Sequence, residues 1–394
     1  MRSAVTLLSQ PYRPFFLLAA LFGALSVLQW LLWLEGSPVA GPVGVNPLLW
    51  HGHEMVFGFA GAIITGFLLT AAQNWTGMRT VGPGLLAAFV ALWLIPRVGF
   101  ALPQMLPMGL LAALDFALLP LVAIALGRVL ILTGNRRNLL FLPILLALAG
   151  FNGAVHLDML GIAPGWGRPA LLAAMLMVAL LMVVMGGRVI PFFTGRRLPH
   201  VPLRNPTPLH WASAALALAA TVAWLLLPGS PVTGLLLGLT SMALLLRLAG
   251  WRPWATRGEP LLWVLHLGYL WLAVGYALLA ASSFGWGVAA TVGVHALMTG
   301  ALGALGLGMI ARVALGHSGR PLVVSGGMVA AFALVNLAAL VRVATALGLG
   351  WPGLLHLSGT LWALAFALYL FHFAPILLRP RADAQPMPGH LRRG

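Results

Sequence analysis

The sequence predicts an all-α integral membrane protein of about twelve transmembrane helices, a single polytopic domain over residues 1–394. Three observations carry this. The chain is 61% hydrophobic and only 7% charged, so it lacks the polar groups to clothe a water-soluble surface. Gly, Pro and Arg punctuation cuts it into apolar runs near the length of about 20 residues that a bilayer requires. Every basic residue is Arg, and these gather at alternate run ends.

In order, the spans cover about 15–34, 49–73, 83–102, 105–132, 138–161, 169–193, 210–228, 231–250, 259–282, 286–314, 325–348 and 353–378. Arg2 and Arg13 precede span one, which lacks a small-residue cleavage site and is expected to be a retained span rather than a signal peptide. Arg79 follows span two, Arg136 and Arg137 follow span four, and Arg196, Arg197 and Arg204 follow span six. Arg252 and Arg257 follow span eight, Arg320 follows span ten, and Arg379, Arg381, Arg392 and Arg393 follow span twelve. The intervening loops carry no Arg near 35–48, 103–104, 229–230, 283–285 and 349–352; Arg168 alone stands against the pattern. The net charge of +16 is therefore topological and calls for no nucleic acid, and both termini are expected to be cytoplasmic. The stretch 381–394 is expected to be a disordered cytoplasmic tail.

Cysteine is absent, which excludes disulfides, thiolate metal ligands and iron–sulfur clusters. A Walker lysine, a phosphate-cradling glycine loop and a Cys-x-x-Cys-His haem attachment are also missing. A nucleotide-driven pump and a hydrolase are thereby disfavoured.

Spans two and ten resemble each other. Anchored on Gly77 and Gly319, His53 falls on His295, Gly58 on Gly300, Gly61 on Gly303, Ala62 on Ala304 and Gly66 on Gly308, without a gap. Span six aligns at its end only, Arg188 falling on Arg312. Spans two, six and ten are four apart, which suggests three four-helix units, 13–134, 135–252 and 253–380.

Ionisable groups inside a bilayer are costly and usually functional. Trp50-His51-Gly52-His53-Glu54-Met55 opens span two at the outer face. His156 and Asp158 lie near the outer end of span five, His295 a third to halfway down span ten, and His356 at the outer start of span twelve. A lone intramembrane His is often a donor between helices; five at similar depth point to a metal cluster, imidazole being the usual protein ligand of haem iron and copper. On a regular helix His51 and His53 face opposite sides and serve two centres; in an extended loop both would reach one copper. Glu54 is a candidate catalytic proton donor, or an acceptor orienting one ring. Arg97 is expected to meet a haem propionate or a carboxylate such as Asp158. Asp115, in mid-span four, is a candidate for a proton path, and Asn152 shares the face of His156 one turn away. His53 and His295 form the strongest expected pair.

These residues resemble a known family. Trp50–Met55 with Gly66-Phe67-Leu68-Leu69-Thr70, Asn74-Trp75-Thr76-Gly77, Gly187-Arg188-Val189-Ile190-Pro191-Phe192-Phe193-Thr194, and His295 followed by Met309, Arg312 and Leu315-Gly316-His317-Ser318-Gly319-Arg320 are similar to the NnrS family of haem- and copper-containing membrane proteins. The resemblance runs from about Arg13 to Arg381 and implies a bacterial inner-membrane protein linked to nitric oxide, nitrosative stress and denitrification. It implies haem b, with copper or another non-haem metal as a second centre. It carries the ligand pattern to His51, His53 and His295, and further to His156, His266 and His356.

Two functions follow as expectations. One is an oxidoreductase that reduces nitric oxide at a haem plus second-metal site in the outer half of the membrane, fed by quinol or a periplasmic donor. Twelve helices in three four-helix arcs resemble, at fold level, the haem-copper oxidases; this chain lacks the paired histidines such a plan expects in span seven and any His in span six. The alternative is a non-enzymatic nitric oxide scavenger or sensor, or a metal-handling transporter.

Overall fold

The computed structural model describes residues 6–37, 45–102, 106–351 and 353–383. Among them twelve helices are long and apolar enough to cross a membrane: α1 Tyr12–Leu34, α2 Pro47–Thr76, α3 Pro83–Ala101, α4 Met108–Leu132, α5 Arg136–Met159, α6 Gly167–Arg197, α7 Thr207–Leu226, α8 Pro231–Gly250, α9 Pro260–Ser283, α10 Ala290–His317, α11 Gly326–Ala346 and α12 Gly353–Leu378. The chain is a multi-pass membrane protein with no strand among the described residues. Each helix end lies within about one turn of its expected limit.

Local chemistry sets the helix ends. Asn46 Oδ1 accepts from the N–H groups of Leu48 and Leu49 at 3.0 and 3.3 Å, and Pro47 fills the first position, where no N–H is needed. The helix therefore begins ahead of His51, and both histidines sit on regular α-helix. At the other end Gly77 takes a left-handed conformation, φ +67°, which stops α2. Gly319, its counterpart after α10, does the same at φ +69°.

Both α2 and α10 change pitch in mid-course. Glu54–Ala60 and Ala296–Leu302 are π-helical, a form that recurs as local widenings at functional sites. Under the Gly77/Gly319 anchor the two stretches coincide residue for residue, each starting directly after the shared histidine.

α2, α6 and α10 meet at the centre of the bundle. Their most apolar stretches are 83%, 89% and 78% buried, against 33–67% for the other nine, which face lipid on one side. α12 packs on α11 and also on α1, closing the outer ring. Buried Arg13 fastens that closure, donating from Nη1 to the carbonyls of Leu377 and Arg379, both at 2.6 Å. Carbonyls at a helix C-terminus lack intrahelical donors, so a guanidinium there is well matched.

Arg381–Asp383, within the stretch expected to be disordered, lie against the end of α10: Ala382 N–H donates to Ser318 O at 2.8 Å. A hydrogen bond from Arg381 holds the Asp383 carboxyl below its ordinary value. The remainder of the tail, including His390, lies outside the described residues.

Candidate functional site

His51 and His53, two residues apart on regular helix, point to opposite sides and enter two different sites. Both lie at the end of the bundle where α2, α6, α10 and α12 begin.

His53 enters a sealed polar cluster built by α2, α3, α4 and α5. Its Nδ1 is 2.9 Å from Glu54 Oε1, and its Nε2 is 2.9 Å from Asn152 Oδ1 and 3.1 Å from Asp115 Oδ2. Asp115 Oδ2 also receives Asn152 Nδ2 and His156 Nε2, each at 2.9 Å. Arg97 spans both acids, with Nη2 donating to Asp115 Oδ1 and Nε 2.9 Å from Glu54 Oε2. The Nε–H is not aimed at that oxygen, so the second contact is an ion pair without an aligned hydrogen bond. All six residues are at most 4% exposed. Phe57 and Phe100 wall the two imidazoles off, their centroids 5.0 and 5.9 Å from that of His53.

Burying charges is tolerated only when they are paired and hydrogen-bonded. With both carboxylates ionised and both imidazoles neutral, Arg97 leaves one negative charge uncompensated. One proton or one cation would balance it. His53, Asp115 and His156 each offer a ligand atom, and these atoms lie within 4.8 Å of one another. Glu54, on the far nitrogen of His53, orients the ring as carboxylates do behind metal-bound imidazoles.

His51 faces the other way, into a cavity of about 640 Å³ lined by parts of α1, α2, α5, α6, α10, α11 and α12. Its ring stacks on Trp30, centroids 4.4 Å apart at 15°. His295 lines the same cavity, its Nδ1 donating to Thr291 O at 2.7 Å. That bond fixes the tautomer and leaves Nε2 as a lone-pair donor, the arrangement of metal-binding histidines. Arg168, Arg342 and Asp158 are the charged residues of an otherwise mainly apolar lining that includes Met55, Met175, Met298 and Trp362. A smaller apolar cavity of about 80 Å³ continues between α2, α6 and α10 and shares Leu302 with the first.

The structure groups the expected residues differently from the sequence reading. His53 meets His156, and His295 shares its cavity with His51, so the expected His53–His295 pair is not formed; opposite faces of one helix separate them. Arg97 is engaged by Glu54 and Asp115, neither by Asp158 nor by an open cavity. Asp158 instead caps α6, accepting from Gly167 N–H at 2.7 Å. His356 stays apart from both sites, half-exposed, with Nε2 3.6 Å from the exposed Glu35. His266 lies toward the opposite end of the bundle, near Trp251, its Nδ1 donating to Leu262 O at 3.0 Å.

Two arginines were missed. Arg342 interrupts the apolar run of span eleven, and Arg247 that of span eight; the rule that drew attention to Arg97 applied to both. Arg247 is buried without a carboxylate, donating to His210 Nδ1 at 2.7 Å and Ser213 Oγ at 2.8 Å.

Twelve helices around two histidine sites, one sealed and ionic and one open and mainly apolar, define a multi-pass membrane protein equipped to hold metal. The chain belongs to the NnrS family: the family model described as NnrS protein matches residues 6–381. No curated protein matches it.

Proposed function

We propose that this protein is an inner-membrane oxidoreductase, both termini cytoplasmic, that reduces nitric oxide with haem b in the His51/His295 cavity and a second metal at His53, Asp115 and His156. The observation that carries the reading is the divergence of His51 and His53 into two sites from one helix.

The residues present fit both groups. The cavity volume of about 640 Å³ falls within the roughly 300–1,000 Å³ of cofactor sites, and a mainly apolar wall with few polar points is their usual chemistry. His295 Nε2 is free for iron, and His51 has no hydrogen bond among the described residues. At the second site the donors are two imidazole nitrogens and one carboxylate oxygen, a set that suits divalent iron, copper or zinc. A metal cation there would take the place of the proton that otherwise balances the cluster charge.

When bound, the haem supplies one-electron chemistry toward nitric oxide. The overall reaction joins two nitric oxide molecules, with two electrons from quinol or a periplasmic donor and two protons, into nitrous oxide and water. This chain's part is to hold, exclude and deliver. Glu54 and Asp115 store charge beside His53, Arg97 keeps both ionised groups in place, and the Phe57 and Phe100 rings exclude water.

The test uses protein purified from membranes. A haem b spectrum with iron is expected, together with a second metal and multiple-turnover nitric oxide consumption with a quinol analogue. His51→Ala and His295→Ala should each lose most of the haem signal. His156→Ala should keep the haem and lose the second metal and turnover. Stoichiometric uptake without turnover would reduce the protein to a scavenger, and absence of haem would remove the reading.

A further inference from the structure

We infer that Arg342 is a positioning residue that captures a carboxylate of the molecule held in the His51/His295 cavity, so that the cavity selects an anionic tetrapyrrole over its neutral ester. The inference rests on the proposed haem reading of that cavity.

Arg342 is an intramembrane cation that no acid of this chain neutralises. The sequence has six acidic residues, and none forms an ion pair with Arg342. Glu54 and Asp115 hold Arg97, Glu259 pairs with Arg197 at 2.8 Å, and Asp383 pairs with Arg381 at 2.7 Å. Glu35 is exposed beside His356; Asp158 lines the same cavity but is engaged at the α6 N-terminus, accepting from Gly167 N–H, and forms no ion pair with Arg342. Among the described residues Arg342 makes no hydrogen bond or ion pair, yet it is only part-exposed and lines the cavity. An unpaired charge inside a membrane is expensive, and a carboxylate on a molecule in the cavity that Arg342 lines would satisfy it.

The stretch of α11 that carries Arg342 is anchored to α12. Ser358 Oγ of α12 donates to Ala338 O at 2.8 Å, one helical turn before Arg342 on the same face of α11. This fixes the register of α11 against α12 where both line the cavity. A planar guanidinium matches a carboxylate with two parallel hydrogen bonds. The role foreseen for Arg97, to meet a propionate, is thus open to Arg342, because Arg97 is committed to the sealed cluster.

The experiment takes full-length protein from haem-deficient cells in detergent and titrates it with haemin and with haemin dimethyl ester, read by Soret growth and quenching of tryptophan fluorescence. Wild type is expected to bind haemin at least about 30-fold more tightly than the ester, the scale for losing a buried charge-assisted partner. Arg342→Gln should lose most of that preference, with Arg168 left as the other cation of the cavity, and Arg342→Lys should recover part of it. Thermal unfolding and gel filtration establish that each variant is folded; should Arg342→Gln misfold, the haemin-to-ester ratio of wild type and Arg342→Lys decides. Equal affinities of wild type for haemin and ester would overturn the inference and leave the haem reading intact. Failure of wild type to bind either would overturn both. If added phosphatidylglycerol abolished the wild-type preference while haemin still bound, a lipid phosphate would be the partner of Arg342 and the carboxylate assignment would fall.

Discussion

At the scale of the residue, Asp115 is the keystone of the sealed cluster, because four side chains converge on its two oxygens. Asp115→Ala would leave Arg97 with Glu54 alone and strip the hydrogen bonds from His156 Nε2 and Asn152 Nδ2. Breaking one side of a buried ion pair costs about 3–5 kcal/mol, so the variant is expected to lose several degrees of thermal midpoint in detergent along with the second metal. A midpoint unchanged from wild type would mean that water already reaches these groups. The individual participants were largely legible in sequence: charges and histidines inside apolar runs stand out whatever the fold. Their partners were not, since His53 and His156 meet through the packing of α2 on α5, which no spacing within either helix encodes. Arg342 was legible by the same rule as Arg97, and only the cavity gives it meaning.

At the scale of the element, α9 and α10 approach each other closely at glycines. A Cβ on Gly268 would lie 2.8 Å from Leu305 N, and one on Gly275 would lie 2.6 Å from Leu297 Cγ and 3.1 Å from its backbone N. Small residues permit such approach between membrane helices. Leu297 belongs to the π-helical stretch just after His295, so Gly275→Ala would push α10 where it presents that ring. Overpacking of this kind costs about 1–3 kcal/mol; the expected result is lower thermal stability and weaker haem retention. Gly84→Ala, whose added methyl meets nothing within 4 Å, should behave as wild type, and a similar loss in both variants would separate the effect from helix contact. Hydropathy located every span because a bilayer leaves a long apolar signature. It could not reveal the π-helical stretches, since a change of pitch in an almost wholly apolar segment moves no polar residue to a new face. The Asn46-Pro47 start of α2 was the readable clue that both histidines of His-x-His are helical.

At the scale of the whole molecule, the arrangement has an inside and an outside. Three buried spans build the interior, and nine others form a wall whose first and last members must meet. That meeting is made by Arg13 at one end and, deeper in, by the Trp362 indole N–H donating to Gly23 O at 2.8 Å. The same span contributes Leu355, Ser358, Gly359 and Trp362 to the lining of the His51/His295 cavity. A chain cut before Gly353 should therefore insert into the membrane, detectable in carbonate-washed membranes, and yet carry no haem pigment. Full pigment in such a fragment would show that eleven spans suffice.

The ring closure also imposes a sequence of events in time. Spans leave the ribosome in order, and the chamber wall stays open until α12 reaches α1. The complete lining of the His51/His295 cavity therefore exists only once α12 has docked on α1.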